Sequence, residues 1–117
     1  MLDLPYSLWR TAPDPTLLAS RDRLTGEHVF PAVPEASPLR QRYDDVPVAR
    51  EGAVYSYTVI HPSAKSGESP YALGYVDFPG PVRIFGRLVG KPRPTIGERY
   101  TARQDDRFGY VFVAVDA

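Results

Sequence analysis

A chain of 117 residues with 43% hydrophobic content supports one domain with a modest core, and not two. Its 14 basic and 14 acidic residues cancel, so no basic field marks a nucleic-acid binder. There is no cysteine, which excludes disulfides and thiolate metal sites.

Twelve of the basic residues are arginine, the two lysines being Lys65 and Lys91. Guanidinium favours bidentate, stacked or interface contacts; a high-GC genome gives the same bias. No apolar run approaches the roughly 20 residues that span a bilayer. The opening MLDLPYSLWR lacks the basic n-region and apolar core of a signal peptide, so a cytoplasmic protein is expected.

Residues 1–11 carry Leu2, Leu4, Tyr6, Leu8 and Trp9, too apolar for a free tail. They are expected to pack on their own domain or on a partner, with Tyr6, Leu8 and Trp9 as candidate partner contacts. Up to Gly52 the chain is irregular and proline-rich, which rules against long helices. Two short strands are expected there, residues 16–21 (TLLASR) and 27–30 (EHVF), joined by a turn through Thr25-Gly26. Residues 31–42 read as extended chain with no hydrophobic period.

From Ala53 onward strands dominate, and the division near Gly52 separates an N-terminal segment (1–52) from a C-terminal domain (53–117). Residues 54–61 alternate, placing Tyr55, Tyr57, Val59 and His61 on one face and Val54, Ser56, Thr58 and Ile60 on the other. Residues 71–78 alternate likewise, with Gly74 where a bulge or a close backbone approach is expected. Pro79-Gly80-Pro81 turns the chain into residues 82–89, whose Gly86, followed by Gly90, suits the coiling of a small barrel. Residues 100–103 and 110–115 supply two further strands around the charged loop Gln104-Asp105-Asp106-Arg107. Five strands in about 65 residues fit the OB-fold barrel, and that length is short for a β-sandwich. The expected fold class is all-β.

Signals for catalysis are poor. The only histidines are His28 and His61, about 30 residues apart. Ser56, Ser63, Ser66 and Ser69 lie near His61 in sequence and Asp77 on the next strand, but no GxSxG elbow accompanies them. The plain reading of His61 is a strand-end residue whose imidazole caps the loop. Asp44-Asp45 and Asp105-Asp106 read as solvated turn residues, and no glycine-rich phosphate loop occurs. No catalytic residue is expected.

The wording from Ala53 to Gly90 carries a resemblance. A Tyr-Ser-Tyr-Thr-Val-Ile-His-Pro strand, a Phe-Gly-Arg-Leu-Val-Gly strand and then an Ile96-Gly97 turn resemble the zinc-ribbon plus OB-fold proteins that accompany thiolases, the family of domain of unknown function thirty-five. Relatives carry a CxxCG knuckle, a Phe-Pro-Pro stretch and a second CxxC. Here Asp22-Arg23-Leu24-Thr25-Gly26, Phe30-Pro31-Ala32 and Ala36-Ser37-Pro38-Leu39 stand in those places. Structural zinc wants four ligands, mostly Cys with some His, and Asp22, Thr25, Ala36 and Leu39 do not supply them. A metal-free, degenerate ribbon is therefore expected, with the on the order of 10 kcal/mol that zinc contributes to an isolated knuckle replaced by packing.

The barrel face around its second and third strands, with the adjoining loops, is the usual ligand face of this fold. It offers Tyr55, Tyr57, Tyr71, Tyr75, Phe85, Arg83 and Arg87, and the candidate ligand contacts are Tyr55, Tyr57, His61, Phe85 and Arg87. The resemblance implies a non-catalytic accessory subunit of a thiolase- or ketosynthase-type acyl-CoA acyltransferase complex, aiding assembly and acyl-CoA binding. No cofactor of its own is expected, with a coenzyme A thioester as a possible ligand. The alternative is a stand-alone OB module binding single-stranded nucleic acid by stacking. Neutral charge argues against that alternative, because such binding leans on counterion release.

Overall fold

The computed structural model describes residues 8–10 and 14–115. Apart from two short 3-10 turns, Arg40–Arg42 and Ala64–Ser66, the regular structure of these residues is all β. The C-terminal part is a closed barrel of β5 (Glu51–Ile60), β6 (Tyr71–Phe78), β7 (Val82–Val89), β8 (Arg99–Asp105) and β9 (Gly109–Ala114). Its strand order is β5-β6-β7-β9-β8, and β8 returns to pair with β5, as an OB fold requires. Every pairing is antiparallel except β7 with β9, a short parallel seam of Leu88↔Phe112 and Val89↔Val113.

Period-two alternation builds the interior. On β6 the inward set is Ala72, Gly74, Val76 and Phe78; on β7 it is Val82, Ile84, Gly86 and Leu88. Val54, Tyr100, Phe112 and Ala114 complete the barrel core. Burying each large apolar side chain contributes about 1.5–3 kcal/mol. Gly74 lies where β5 passes closest: a Cβ there would sit 2.3 Å from the Ser56 carbonyl oxygen. The close approach read from the sequence is present.

The even alternation expected along β5 is broken. Val54 pairs with Val76 but Ser56 with Tyr75, a β-bulge at Tyr55. An extra residue flips the side chains beyond it to the other face. Tyr55 therefore points outward while Tyr57 turns in and packs against the core, so the two tyrosines do not share a face.

The N-terminal part is a small sheet around β2 (Thr16–Asp22). It pairs antiparallel with β1 (Trp9–Arg10), β3 (His28–Val29) and β4 (Tyr43–Pro47). Leu17, Ala19 and Val48 from this part join the barrel residues in one continuous core. β2 and β3 fall where expected, but β4 does not. Its Asp44 and Asp45, read as solvated turn residues, are strand residues opposite Arg21 and Ser20.

Three arginine–aspartate forks hold this sheet. Arg42 donates to both carboxylate oxygens of the buried Asp22, at 3.0 and 2.8 Å. Arg23 donates to Asp44 at 2.6 and 2.9 Å and to the Gln41 carbonyl at 3.0 Å. Arg40 forks onto Asp45 at 2.6 and 2.9 Å and also reaches the Val33 carbonyl. The buried Ser20 hydroxyl donates to Asp45 and accepts the Val33 amide, fastening the proline-rich segment to β2. The arginine excess thus has a structural use: planar guanidinium matches carboxylate two bonds at a time.

Asp22 also closes the turn after β2, accepting from the amides of Leu24 at 2.8 Å and Thr25 at 3.4 Å. Arg42 and these amides outweigh burial and lower its pKa from 3.8 to about 2. A folded pKa below the unfolded one means the interaction stabilises fully above the unfolded value and is lost as pH falls from about 4 to about 2. Asp22→Asn is expected to lower the melting temperature at pH 7, with the gap to wild type shrinking toward pH 2. Melts followed by circular dichroism at both pH values check this; an equal gap at both would discard the ion pair as its cause.

Candidate functional site

Register places a ladder of aromatic and arginine side chains on the outside of β5, β6 and β7. Asp77 faces Arg83, Tyr75 faces Phe85, and Leu73 faces Arg87. Arg83 forks onto Asp77 at 2.7 and 3.1 Å, and its guanidinium lies 3.4 Å over the Tyr55 ring. Tyr75 and Phe85 meet edge to face at 5.1 Å. Tyr55, Tyr75 and Phe85 are 52%, 41% and 47% exposed, so the pairing leaves a wide aromatic surface in water.

Beyond Phe85 the ladder opens into a cleft of about 380 Å³. Its walls are Tyr71 and Leu73 from β6, Phe85 and Arg87 from β7, Phe108 from the loop before β9 and Tyr110 at the start of β9. Gly86 lines it too, and a Cβ on Gly86 would lie 2.8 and 2.9 Å from the rings of Phe112 and Tyr110. The Tyr110 hydroxyl donates to the Phe85 carbonyl at 2.5 Å, and Phe30 packs edge-on against Tyr110. Two cations enter the cleft. Arg87 lies 4.2 Å over Tyr71 and 5.6 Å from Phe108, and Arg107 lies 5.0 Å over Phe108. Arg107 is 3.9 Å from Glu68, at the edge of ion-pair range.

The structure therefore sorts the sequence candidates. Phe85 and Arg87 come together in the cleft, and Tyr55 stands on the adjoining ladder. Tyr57 faces the core. His61 is exposed just past β5, and its imidazole makes no hydrogen bond among the described residues, so it does not cap the loop. Trp9 is half-buried against its own barrel and donates its indole N–H to the Gly109 carbonyl at 2.8 Å. The Leu8 carbonyl accepts the Leu18 amide. Tyr6 lies outside the described residues. Glu68, Arg107 and Phe108 were not among the candidates; they sit in loops that only barrel closure carries to β7.

Stacking and charge pairing are what this arrangement can do. Among the described residues neither histidine side chain has a hydrogen-bond partner, and no three His, Asp or Glu side chains converge as metal ligands. At the turn where the family resemblance implies a zinc knuckle, Asp22 is engaged by Arg42 and two amides, while Thr25, Ala36 and Leu39 offer no soft donor. That donor set does not fit zinc.

Comparison with known proteins agrees with the barrel fold. Residues 45–103 match the family model described as ChsH2, C-terminal OB-fold domain. Benzoylsuccinyl-CoA thiolase subunit BbsA of Thauera aromatica is 33% identical over 79 residues, 67% of this chain and 55% of that protein. The subunit of the same name from Geobacter metallireducens is 35% identical over 51 residues, 44% of this chain and 35% of that protein. The match thus spans about half, or less, of the length of these relatives. Among solved structures, the Ltp2-ChsH2(DUF35) aldolase superposes with a TM-score of 0.63 at 25% identity, covering 85% of this chain and 84% of that one. None of these names supports the nucleic-acid alternative. The closed barrel order and the match to residues 45–103 agree: the chain belongs to the family of the ChsH2 C-terminal OB-fold domain.

Proposed function

We propose that this chain is a non-catalytic accessory subunit of a thiolase- or ketosynthase-type acyl-CoA acyltransferase assembly, in which bond making and breaking belong to the larger subunit. The observation that carries this reading is the exposed row of Tyr55, Tyr75 and Phe85, on a chain that aligns over 67% of its length with a thiolase subunit. Aromatic residues framed by arginine are the composition that protein interfaces favour at their centres. The small subunit contributes shape and interface, and acyl-CoA is a ligand of the assembly. The N-terminal sheet acts in this reading as a metal-free descendant of a zinc ribbon, stabilised by the Asp22–Arg42 pair and its neighbours where the resemblance implies cysteines. The assembly is cytoplasmic.

The test is a pull-down from the native host with the tagged chain as bait, read by mass spectrometry with metal analysis of the eluate. A stoichiometric thiolase-fold partner is expected, with no zinc attributable to the bait and no change in its melting on adding chelator. A bait that emerges alone at near-native concentration would overturn the subunit reading, and stoichiometric zinc on the purified chain would overturn the metal-free one.

A further inference from the structure

The ladder and the cleft differ in one respect that bears on ligand chemistry. Arg83 is paired: two of its N–H groups fork onto the Asp77 carboxylate and its face covers Tyr55. Arg87 is not. Its face lies over Tyr71, yet none of its N–H groups is hydrogen-bonded and no carboxylate pairs with it among the described residues. A guanidinium offers five donors in a fixed fork, and stacking uses none of them. A cation left half-buried among Tyr71, Phe108 and Phe85, without an acceptor among the described residues, is arranged for an anion that arrives from outside.

The charge count narrows the anion. Arg87 and Arg107 bring two positive charges and Glu68 one negative, leaving the cleft near +1. That balances a single carboxylate and falls short of a phosphate dianion or a diphosphate. The remaining walls, Tyr71, Leu73, Phe85, Phe108 and Tyr110, are aromatic or aliphatic, and a cavity of about 380 Å³ lies within the range of small-molecule sites. An apolar body beside a monoanionic head is the chemistry these walls complement.

We infer that the cleft between β7 and the start of β9 is a binding site for a small apolar monocarboxylate, held by a fork from Arg87 with its body against Phe85, Phe108 and Tyr71. Arg107 adds long-range attraction and is the residue that gives way, since its link to Glu68 is loose. The inference stands on the cleft alone and does not depend on the identity of a partner subunit.

Titration of the full chain with 3-phenylpropionate, followed by amide NMR shifts, tests it. Saturable shifts centred on Gly86, Phe108 and Gly109 are expected, and the neutral 3-phenylpropanamide is expected to bind at least about tenfold more weakly, as loss of a charge-assisted bond implies. Arg87→Gln is expected to remove the same factor, whereas Arg83→Gln, outside the cleft, leaves affinity unchanged. Should Arg87→Gln destabilise the barrel, Phe108→Ala on the exposed loop supplies the second variant, with several-fold weaker binding expected. Equal binding of acid and amide, shifts centred away from the cleft, or tighter binding of ADP than of the carboxylate would each overturn the assignment. Absence of any saturable shift would overturn it as well, while leaving the pull-down result untouched.

Discussion

Replacing Gly74 by alanine is expected to cost about 3 kcal/mol or more, a large share of the roughly 5–15 kcal/mol that holds a domain of this size. The reason is backbone, not packing freedom. A Cβ would stand 2.3 Å from the Ser56 carbonyl oxygen and 2.9 Å from the Tyr57 Cβ, and the strand carrying both is clamped by pairing on either side of the bulge. Relief demands that β5 and β6 separate where they are most closely paired. Gly67 provides the comparison. Its φ of +71° is costly for alanine, but nothing lies within 4 Å of the added carbon, so only the conformational penalty of about 1 kcal/mol applies. Thermal melts should show Gly74→Ala about 10 °C or more below wild type and Gly67→Ala only a few degrees below. Equal shifts would mean that β5 yields at the bulge and that the close approach constrains nothing.

That glycine illustrates what could be read from the chain alone. Strand wording, alternation and turn residues place β6 and β7 with their observed bounds, because local propensity and tertiary pairing agree there. The bulge at Tyr55 left no local signal: Val-Tyr-Ser-Tyr-Thr alternates equally well with or without it, and only the register against β6 decides. Tyr57 therefore does not share the face of Tyr55, as simple alternation would have it. β4 was missed for a different reason. Asp44-Asp45 is a poor strand sequence, and it becomes one because Arg23 and Arg40, distant or unremarkable in sequence, neutralise it. The cleft was legible in part. Phe85 and Arg87 stand on a strand whose outer face can be counted off, whereas Glu68, Arg107 and Phe108 belong to loops whose position follows from closure of β9 against β7.

The largest functional effect is expected from the outer ladder. If the larger subunit seats on it, Tyr55→Ala and Tyr75→Ala should each weaken the complex by about 30-fold, the equivalent of about 2 kcal/mol at a central aromatic contact. Both side chains are more than a third exposed, so their loss from the isolated chain removes the Arg83 stack or the Tyr75–Phe85 edge contact and little else. Those contacts are worth about 1 kcal/mol each, so both variants should remain folded, which circular dichroism verifies. His61→Ala, exposed just past the end of β5 and off the ladder, serves as a surface control, expected to leave affinity within about twofold. Affinity of wild type and variants for the co-purified subunit, measured by calorimetry, decides the matter. Two folded variants that bind as tightly as wild type would move the interface off the ladder. The N-terminal sheet would then be the next surface to test, through Arg23→Ala on the fork with Asp44.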